Sequence, residues 1–247
     1  MALDVSDKTS NNNDLTNNGG VTEVTTSLPF AQSTSCADLE ASSTQSLSIA
    51  DASQTGLDLT GDFTFEFWVK FESLPSSGAF MWLIGKDDSG QRQYDFRLHN
   101  DGGTLKLEVF IFQDGTTYDN VTANWTPSTG TWYHVALTCD ISNTIATEFE
   151  FFVDGSSIGN GSVVTDGSVA TIQNATAVFY LGYFGTGGGS YLDGQLDDVR
   201  IWSDIRTSTE ITDNKDIELT GTETNLVAYW PFEVTLGVGG ANFFALL

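Results

Sequence analysis

The sequence is short of positive charge. Of its 247 residues only 9 are lysine or arginine, against 33 aspartate and glutamate, so the net charge is −24. Nucleic-acid binding depends on basic side chains that neutralise phosphates, and anionic membranes attract basic segments. This composition therefore excludes both kinds of partner, and it is compatible with cations or with neutral partners such as carbohydrates.

Long apolar runs and cysteine are also scarce. No stretch of 18 apolar residues occurs, which predicts no membrane insertion. The first twenty residues have neither a basic start nor an apolar core, so no Sec signal peptide is visible in them. The only cysteines, Cys36 and Cys139, allow one disulfide; because each lies in or beside an apolar segment, buried free thiols are the interpretation we prefer.

Apolar and polar residues alternate with a period of two in much of the sequence. In residues 62–72, DFTFEFWVKFE, four phenylalanines and a valine occupy every second position, the pattern of a half-buried strand. Further strands are predicted at residues 20–25, 46–49, 79–85, 93–98, 104–112, 131–140, 147–153, 157–164, 177–183, 192–202 and 226–232. So many strands predict an all-β fold of two packed antiparallel sheets.

One short helix and one domain complete the predicted fold. Thr207 and Glu210 have the spacing of a capping box, which predicts a helix over residues 207–217. No linker interrupts the strands, so residues 1–233 are interpreted as one domain and residues 234–247 as an apolar C-terminal tail.

The predicted strand at 192–202 does not keep one alternation of apolar residues along its length. Val199 and Ile201 share a face, whereas Leu196 is out of phase with them by one residue. A β-bulge produces such a slip, and it would fall on Asp197 and Asp198. Either the bulge turns these carboxylates toward a ligand, or it only bends a long strand; both interpretations stay open.

Six segments resemble one family when they are read in order and with their spacing. They cover most of residues 37–217 and are SLSIAD from Ser46, LDLTGDFTFEFWVKFESLPS from Leu57, TGTWYHVALTCD from Thr129, FFVDG from Phe151, YLGYF from Tyr180 and YLDGQLDDVRIWSDIRTSTEI from Tyr191. They resemble the laminin G-like branch of the concanavalin A-like lectin/glucanase superfamily. The resemblance implies a jelly-roll sandwich and a sugar- or protein-binding module, often with a structural calcium ion.

The two ends depart from a simple unit of this family. A segment similar to the usual opening strand, LVAYWPFE, stands at residues 226–233 instead of near the start. Either this C-terminal strand closes the same chain in a permuted way, or it pairs with a neighbouring copy. The tail that follows either docks on a partner or frays.

Catalytic patterns are missing. The Glu-x-Asp-x-Glu strand of the hydrolases that resemble laminarinases does not occur, and there is no Gly-x-Ser-x-Gly elbow. His134 lies mid-strand and is interpreted as structural, with a satisfied ring. The remaining glutamates on strands are interpreted as solvated: Glu66, Glu72, Glu108, Glu148 and Glu150.

The resemblance also implies a calcium site. It would join Asp38 and Glu40 to Asp197 on the late strand, because these segments abut in the family's sandwich. Glu40 stands where the family more often has aspartate, and Ala41 replaces a usual glycine. The alternative is that these acids are simply solvated on an anionic surface.

Carbohydrate binding calls for aromatic rings beside amides and carboxylates. The ring residues and polar residues predicted to bind are Trp82, Tyr118, Trp125, Tyr191, Asp88, Asn120 and Asn124. Our first choice is a predicted loop at 117–127, which holds Tyr118, Asn120, Asn124 and Trp125. The alternative for any one of these aromatics is core or rim packing.

Three functions are therefore compared. The leading hypothesis is a non-catalytic, lectin-like adhesion module that binds a surface glycan or protein, located extracellularly or on a virion or appendage. The second is a structural assembly protein, which forms homo-oligomers or a larger particle through its C-terminal strand and tail. A glycoside hydrolase ranks lowest.

Overall fold

The computed structural model describes residues 2–88, 90–184 and 190–233. The strands in these ranges are β1 (Thr16–Asn18), β2 (Thr22–Val24), β3 (Cys36–Leu39), β4 (Ser46–Ile49), β5 (Phe63–Phe71), β6 (Phe80–Asp88), β7 (Gln91–Asp101), β8 (Thr104–Phe112), β9 (Tyr118–Asn124), β10 (Trp132–Cys139), β11 (Phe149–Val153), β12 (Ser156–Gly159), β13 (Ser162–Thr165), β14 (Phe179–Leu181), β15 (Gly194–Trp202) and β16 (Leu226–Trp230). The α-helices are α1 (Ile145–Glu148), a single turn, and α2 (Ser208–Asn214), and two short 3-10 helices lie at Ala41–Ser43 and Asp51–Ser53.

The strands form two antiparallel sheets. Sheet A has the order β1-β4-β14-β6-β7-β8-β9-β13, and sheet B has the order β12-β11-β10-β5-β15-β3-β2, with β16 also paired to β15. The predicted fold class, a jelly-roll sandwich, is confirmed.

The core fills the space between the sheets. Phe65 and Phe67 of β5 are fully buried, and their rings contact Tyr94 and Phe96 of β7, at centroid distances of 5.4 and 6.0 Å. The alternation seen in the sequence thus places one face of each central strand in the core. Tyr94 is a core residue whose hydroxyl donates to the Leu57 carbonyl.

A covering segment, residues 203–219, lies over the outer face of sheet B. It contains α2, whose capping box between Thr207 and Glu210 is present as predicted. Ile211 packs on Ala136 and Phe152, and the indole of Trp68 donates to the Lys215 carbonyl. No helix in the described ranges is long and apolar enough to cross a bilayer.

Beneath the covering segment lies a buried ionic cluster. Arg200 is fully buried, is ion-paired with Asp198, and lies 3.9 Å from a Glu66 carboxylate oxygen. The prediction that Glu66 is solvated is therefore wrong, because the covering segment excludes water from this face. His134 is also buried, with its Nε2 3.6 Å from Glu66, but neither ring nitrogen has a hydrogen-bond partner, so the predicted satisfied ring is wrong.

The bulge predicted in β15 is confirmed. The register with β5 shifts between Asp197 and Arg200, and Asp198 has a positive φ of 51°. Asp197 accepts hydrogen bonds from the Ser33 hydroxyl and from its neighbour's amide. Both carboxylates are buried and engaged within the protein, so the bulge serves the fold.

The chain crosses between the sheets at residues 160–161. The sequence predicts one strand over 157–164, whereas the structure has β12 in sheet B and β13 in sheet A. Gly161 makes the crossing with a φ of 77°, and a Cβ there would lie 2.7 Å from the Thr122 carbonyl oxygen. Only glycine fits such a backbone without displacing its neighbour.

The C-terminal strand closes its own chain. β16 pairs with β15, and its other side meets the N-terminal segment: the Tyr229 amide donates to Asp7 and the Lys8 amide to the Tyr229 carbonyl. Of the two alternatives for this strand, the structure shows the permuted closure. The tail at 234–247 lies outside the described residues. Cys36 and Cys139 are buried free thiols, as preferred.

Candidate functional site

A groove lies on the outer face of sheet A. Because strands alternate, the residues of β7 and β8 that flank the core residues point away from the core. The groove has a volume of about 230 Å³ and is lined by Trp82, Asp87, Arg92, Asp95, Arg97, Phe110, Phe112, Tyr118 and Phe184. We call this set the aromatic groove.

Arg97 organises the rings at one end of the groove. Its guanidinium carbon lies 4.0 Å from the ring centroid of Phe80, 4.7 Å from that of Trp82 and 4.5 Å from that of Phe110. Trp82 in turn stacks on Phe184 at 4.3 Å, with 14° between the ring planes. Planar groups are thus held in fixed orientations before any ligand arrives.

The carboxylate of Glu108 fixes the position of the Arg97 guanidinium. Arg97 Nε donates to Glu108 Oε2 over 2.7 Å, and His99 Nδ1 lies 3.0 Å from the same oxygen. Glu108 is buried, so the sequence interpretation of a solvated strand position is wrong. Its charge is balanced by the guanidinium, which explains why it is stable on this face.

An acid pair forms the other end of the groove. Asp87 and Asp95 are each 2% exposed and are hydrogen-bonded to each other, and Arg92 Nε lies 3.3 Å from Asp87 Oδ1. Burial raises the pKa of both carboxyl groups, and the charge of Asp87 raises that of Asp95 further. The two groups therefore hold a proton between them above the pH at which an exposed aspartate has lost its own.

The acid pair makes folding stability fall as pH rises. Above pH 4 the unfolded chain has lost these protons while the folded protein still binds one, so folding becomes less favourable with increasing pH. We expect Asp95→Asn to be more stable than wild type near pH 7 and to have a flatter profile of melting temperature between pH 4 and 8. Asp213→Asn, which changes an exposed aspartate of α2 outside the groove, is the control. A steeper profile in Asp95→Asn would contradict the shared proton.

Two of the sequence-predicted rings lie in the groove. Trp82 and Tyr118 both line it, Tyr118 with ring contacts to Phe110 and Phe112 at 5.6 and 5.5 Å. The predicted loop around Tyr118 is wrong, because residues 118–124 form β9 and pair with β8. Asn120 is buried on that strand and donates to Glu108 Oε1 and the Val109 carbonyl, so its amide supports the groove from below.

Asn124 and Trp125 lie away from the groove. Asn124 is exposed at the end of β9, opposite Lys106. Trp125 packs on the core margin, with its ring 5.9 Å from that of Phe71 and edge-on to Tyr133 at 5.2 Å. The first-choice site is therefore split by the strand, and the packing alternative describes Trp125.

The last two predicted binding residues belong to a second cluster. Tyr191 stacks on Tyr183 at 4.3 Å, and Tyr183 meets Tyr180 edge-on at 5.1 Å. The charge of Asp88 contributes to raised pKa values of Tyr180 and Tyr183, which places Asp88 beside these phenols. We call this set the tyrosine cluster.

Sequence reasoning missed several residues of the groove, namely Asp95, Arg97, Phe110 and Phe112. One signal was present for the two phenylalanines, because they lie on the face of β8 opposite to Leu107, Val109 and Ile111. Aromatic residues on the solvent face of a strand need an explanation that core packing does not give.

Two of the three predicted metal ligands, Asp38 and Glu40, lie close together, and the third does not lie with them. Asp38 and Glu40 each bring a carboxylate oxygen within 4.8 Å of one another and of Glu72, and Asp38 Oδ1 is buried without a hydrogen-bond partner. Asp197 is not part of this cluster, since it lies buried and hydrogen-bonded to Ser33. The charges of Asp38 and Glu40 raise the pKa of Glu72 further beyond the effect of burial. Three oxygen donors at this spacing fit Ca²⁺.

Three solved structures show a similar fold. A candidate carbohydrate-binding protein from Bacteroides ovatus ATCC 8483 has a TM-score of 0.54 and 19% identity, over 72% of this chain and 47% of its own. Domain 4 of the extracellular arabinanase AbnA from Geobacillus stearothermophilus, in complex with arabinotriose, has a TM-score of 0.55 and 20% identity, over 85% and 96%.

The third is botulinum neurotoxin type C, whose cell entry depends on interaction with two ganglioside molecules. Its TM-score is 0.53 at 11% identity, over 83% of this chain and 46% of the toxin chain. The chain thus spans about half the length of the Bacteroides and toxin proteins. At identities of 11–20%, these three neighbours show a shared fold.

None of the curated proteins matches the sequence at a significant level. A laminin G-like family model matches residues 41–212, most of the chain, and includes the strands that build the aromatic groove and the segment that carries the tyrosine cluster. This chain belongs to the concanavalin A-like lectin/glucanases superfamily.

Proposed function

We propose that this chain is a non-catalytic recognition module that binds a surface carbohydrate in the aromatic groove. The observation that carries the proposal is the composition of the groove, in which flat rings alternate with two arginines and an acid pair. A sugar ring offers an apolar face for the rings and hydroxyl groups for the charged side chains. The groove is preformed, which reduces the ordering cost of binding.

The acid pair supports binding over hydrolysis. A glycosidase places two carboxyl groups on either side of the scissile bond, at least about 5 Å apart. Asp87 and Asp95 instead contact each other from neighbouring strands, so a sugar cannot pass between them. In the proposal, these carboxyl groups accept hydrogen bonds from the hydroxyl groups of the sugar and donate hydrogen bonds to them.

The names of the structural neighbours give the proposal a class of ligand. An arabinanase domain in complex with arabinotriose and a toxin that interacts with gangliosides share this fold. We propose that the module lies on a cell, virion or appendage surface. There, a strongly acidic domain that exposes the aromatic groove to glycans would mediate adhesion. The assembly alternative loses part of its basis, because β16 is already paired within the chain.

A glycan array with variants tests the proposal. Wild-type protein is expected to bind a set of neutral or acidic oligosaccharides, and Tyr118→Ala is expected to weaken that binding about tenfold, the loss of one ring contact. Tyr191→Ala, an equally half-buried tyrosine of the tyrosine cluster, is the matched control and should bind as wild type. No binding to any glycan, or equal loss in both variants, contradicts the groove assignment.

Calcium is proposed as a structural ion held by Asp38, Glu40 and Glu72. The ion would relieve repulsion between three carboxylates that the fold holds close together. It would brace the junction between β3 and the end of β5. Melting curves with calcium and with chelator test this. Calcium should raise the melting temperature of the wild-type protein, and Glu72→Gln should lose most of that rise.

A further inference from the structure

An acidic pocket lies at one end of the sandwich, apart from the aromatic groove, the tyrosine cluster and the cluster of Asp38, Glu40 and Glu72. It forms where β9 begins, next to α1 and the segment at 166–170, and has a volume of about 340 Å³. Its carboxyl groups are those of Asp119, Glu148 and Asp166, and no lysine or arginine is among its lining residues. Asp166 is exposed, so the pocket opens to solvent on that side.

Glu148 is the unusual residue of the pocket. It is 2% exposed, and neither of its carboxyl oxygens has a hydrogen-bond partner among the described residues; Oε2 is entirely removed from water. The sequence interpretation of an outward, solvated side chain is wrong here, because α1 carries Glu148 into the end of the sandwich. A buried carboxyl group without any partner is costly and rare, so it needs an explanation.

The surroundings of Glu148 offer it only negative charge. Burial raises its pKa to about 8, and the charges of Asp119, Asp166 and Asp140 add to that effect. Asp119 and Asp166 are held in position by backbone amides: Asp119 accepts from Gly167 and Val169, and Asp166 accepts from Ser168. These bonds leave further lone pairs on the aspartate oxygens.

Ile141, Ile145 and Val169 form the apolar part of the lining. Such walls lower the local dielectric constant and strengthen the attraction between the carboxylates and any cation that enters. A hard divalent cation is the species that meets all of these conditions, since it takes oxygen ligands and balances several negative charges at once.

We propose that this pocket binds a hydrated divalent cation of the calcium or magnesium class, which the carboxylates of Glu148, Asp119 and Asp166 hold directly or through its waters. The three carboxyl groups are not as close together as those of Asp38, Glu40 and Glu72, and the pocket is roomy. The ion therefore keeps several of its waters, which complete its coordination. The cation fastens the start of β9 to the end of α1 and to the segment at 166–170.

Calorimetric titration of the full chain tests the proposal. Glu72→Gln is used as the background, so that the cluster at Asp38 does not contribute heat. After treatment with chelator, this background protein is titrated with calcium chloride and with magnesium chloride, and we expect saturable binding of one ion per chain with at least one of them. Adding Glu148→Gln should weaken binding at least tenfold, and Asp166→Asn should weaken it also.

Glu150→Gln is the matched control. Glu150 lies on β11, two residues after Glu148, and its carboxylate accepts from the Ser157 hydroxyl outside the pocket. Binding by this control should equal that of the background. Circular dichroism shows whether Glu148→Gln has folded; if it has not, Asp166→Asn at the exposed rim decides the outcome. Absence of binding at 10 mM of either metal, or equal affinity with and without the pocket substitutions, overturns the proposal.

Discussion

Arg200→Met is expected to destabilise the protein by about 3–5 kcal/mol. Methionine matches the length and apolar stem of arginine but removes the guanidinium, so Asp198 and Glu66 lose the buried cation beside them. Arg200 also donates to the carbonyls of Asn214 and Ile217, and these bonds fix the covering segment to sheet B. Urea unfolding monitored by tryptophan fluorescence measures the loss.

Arg206→Met is the control for this prediction. Arg206 lies a few residues further on, is partly exposed, and pairs with Glu210 at 3.0 Å. Its guanidinium also lies 4.2 Å from the Trp202 ring centroid, but solvent reaches the pair and methionine keeps an apolar side chain over the ring, so this variant should lose much less stability than Arg200→Met. Adding Asp198→Asn to Arg200→Met should recover part of the loss, because it removes one uncompensated buried charge. A loss below about 1 kcal/mol in Arg200→Met would show that the cluster is not energetically important.

The second large effect is expected at Arg97, and it rests on the proposed function. Arg97→Met should weaken glycan binding by roughly 2 kcal/mol, about thirtyfold, because the side chain contacts three rings and is the partner of buried Glu108. Calorimetric titration with an oligosaccharide identified on the array measures the change.

Arg97→Lys separates charge from shape. Lysine retains the positive charge near Glu108 but has no planar group to stack on Trp82 or Phe110. If the planar contacts matter, Arg97→Lys should bind glycan nearly as poorly as Arg97→Met, while its stability stays closer to that of wild type. Wild-type affinity in both variants would place the ligand elsewhere, with the tyrosine cluster as the next surface to test.

The sandwich could be predicted because its central strands alternate strictly. The phenylalanines of β5 and the aliphatic residues of β8 fall on one face in the sequence and face the core in the structure. β9 was missed because it is rich in polar residues, and Asp119, which caps the segment at 167–169, occupies an inward position where an apolar residue is expected. The predicted strand at 79–85 stops short of the end of β6 because Lys86 and Asp87 are charged, yet Lys86 is buried and paired with Asp51 and Asp58.

The aromatic groove was only half predictable for a similar reason. Trp82 and Tyr118 were identified as single aromatics, but their proximity depends on the order β6-β7-β8-β9 in sheet A. The contact between Asp87 and Asp95 depends on a register shift between Lys86 and Asp87, and such a shift is set by packing across the whole sheet. Phe184 comes from another segment, so local periodicity carried no information about its place on Trp82.

The position of β16 has a consequence for how the protein reaches this structure. Asp7 and Tyr229 are hydrogen-bonded across 222 positions of the chain, and the indole of Trp230 donates to the Asn13 carbonyl. Contacts between such distant positions form only after a large loss of chain entropy, and topologies rich in them fold slowly. During synthesis on the ribosome, β15 and the N-terminal segment must wait for Trp230 to emerge, so the sandwich closes only after all of its other strands have been made.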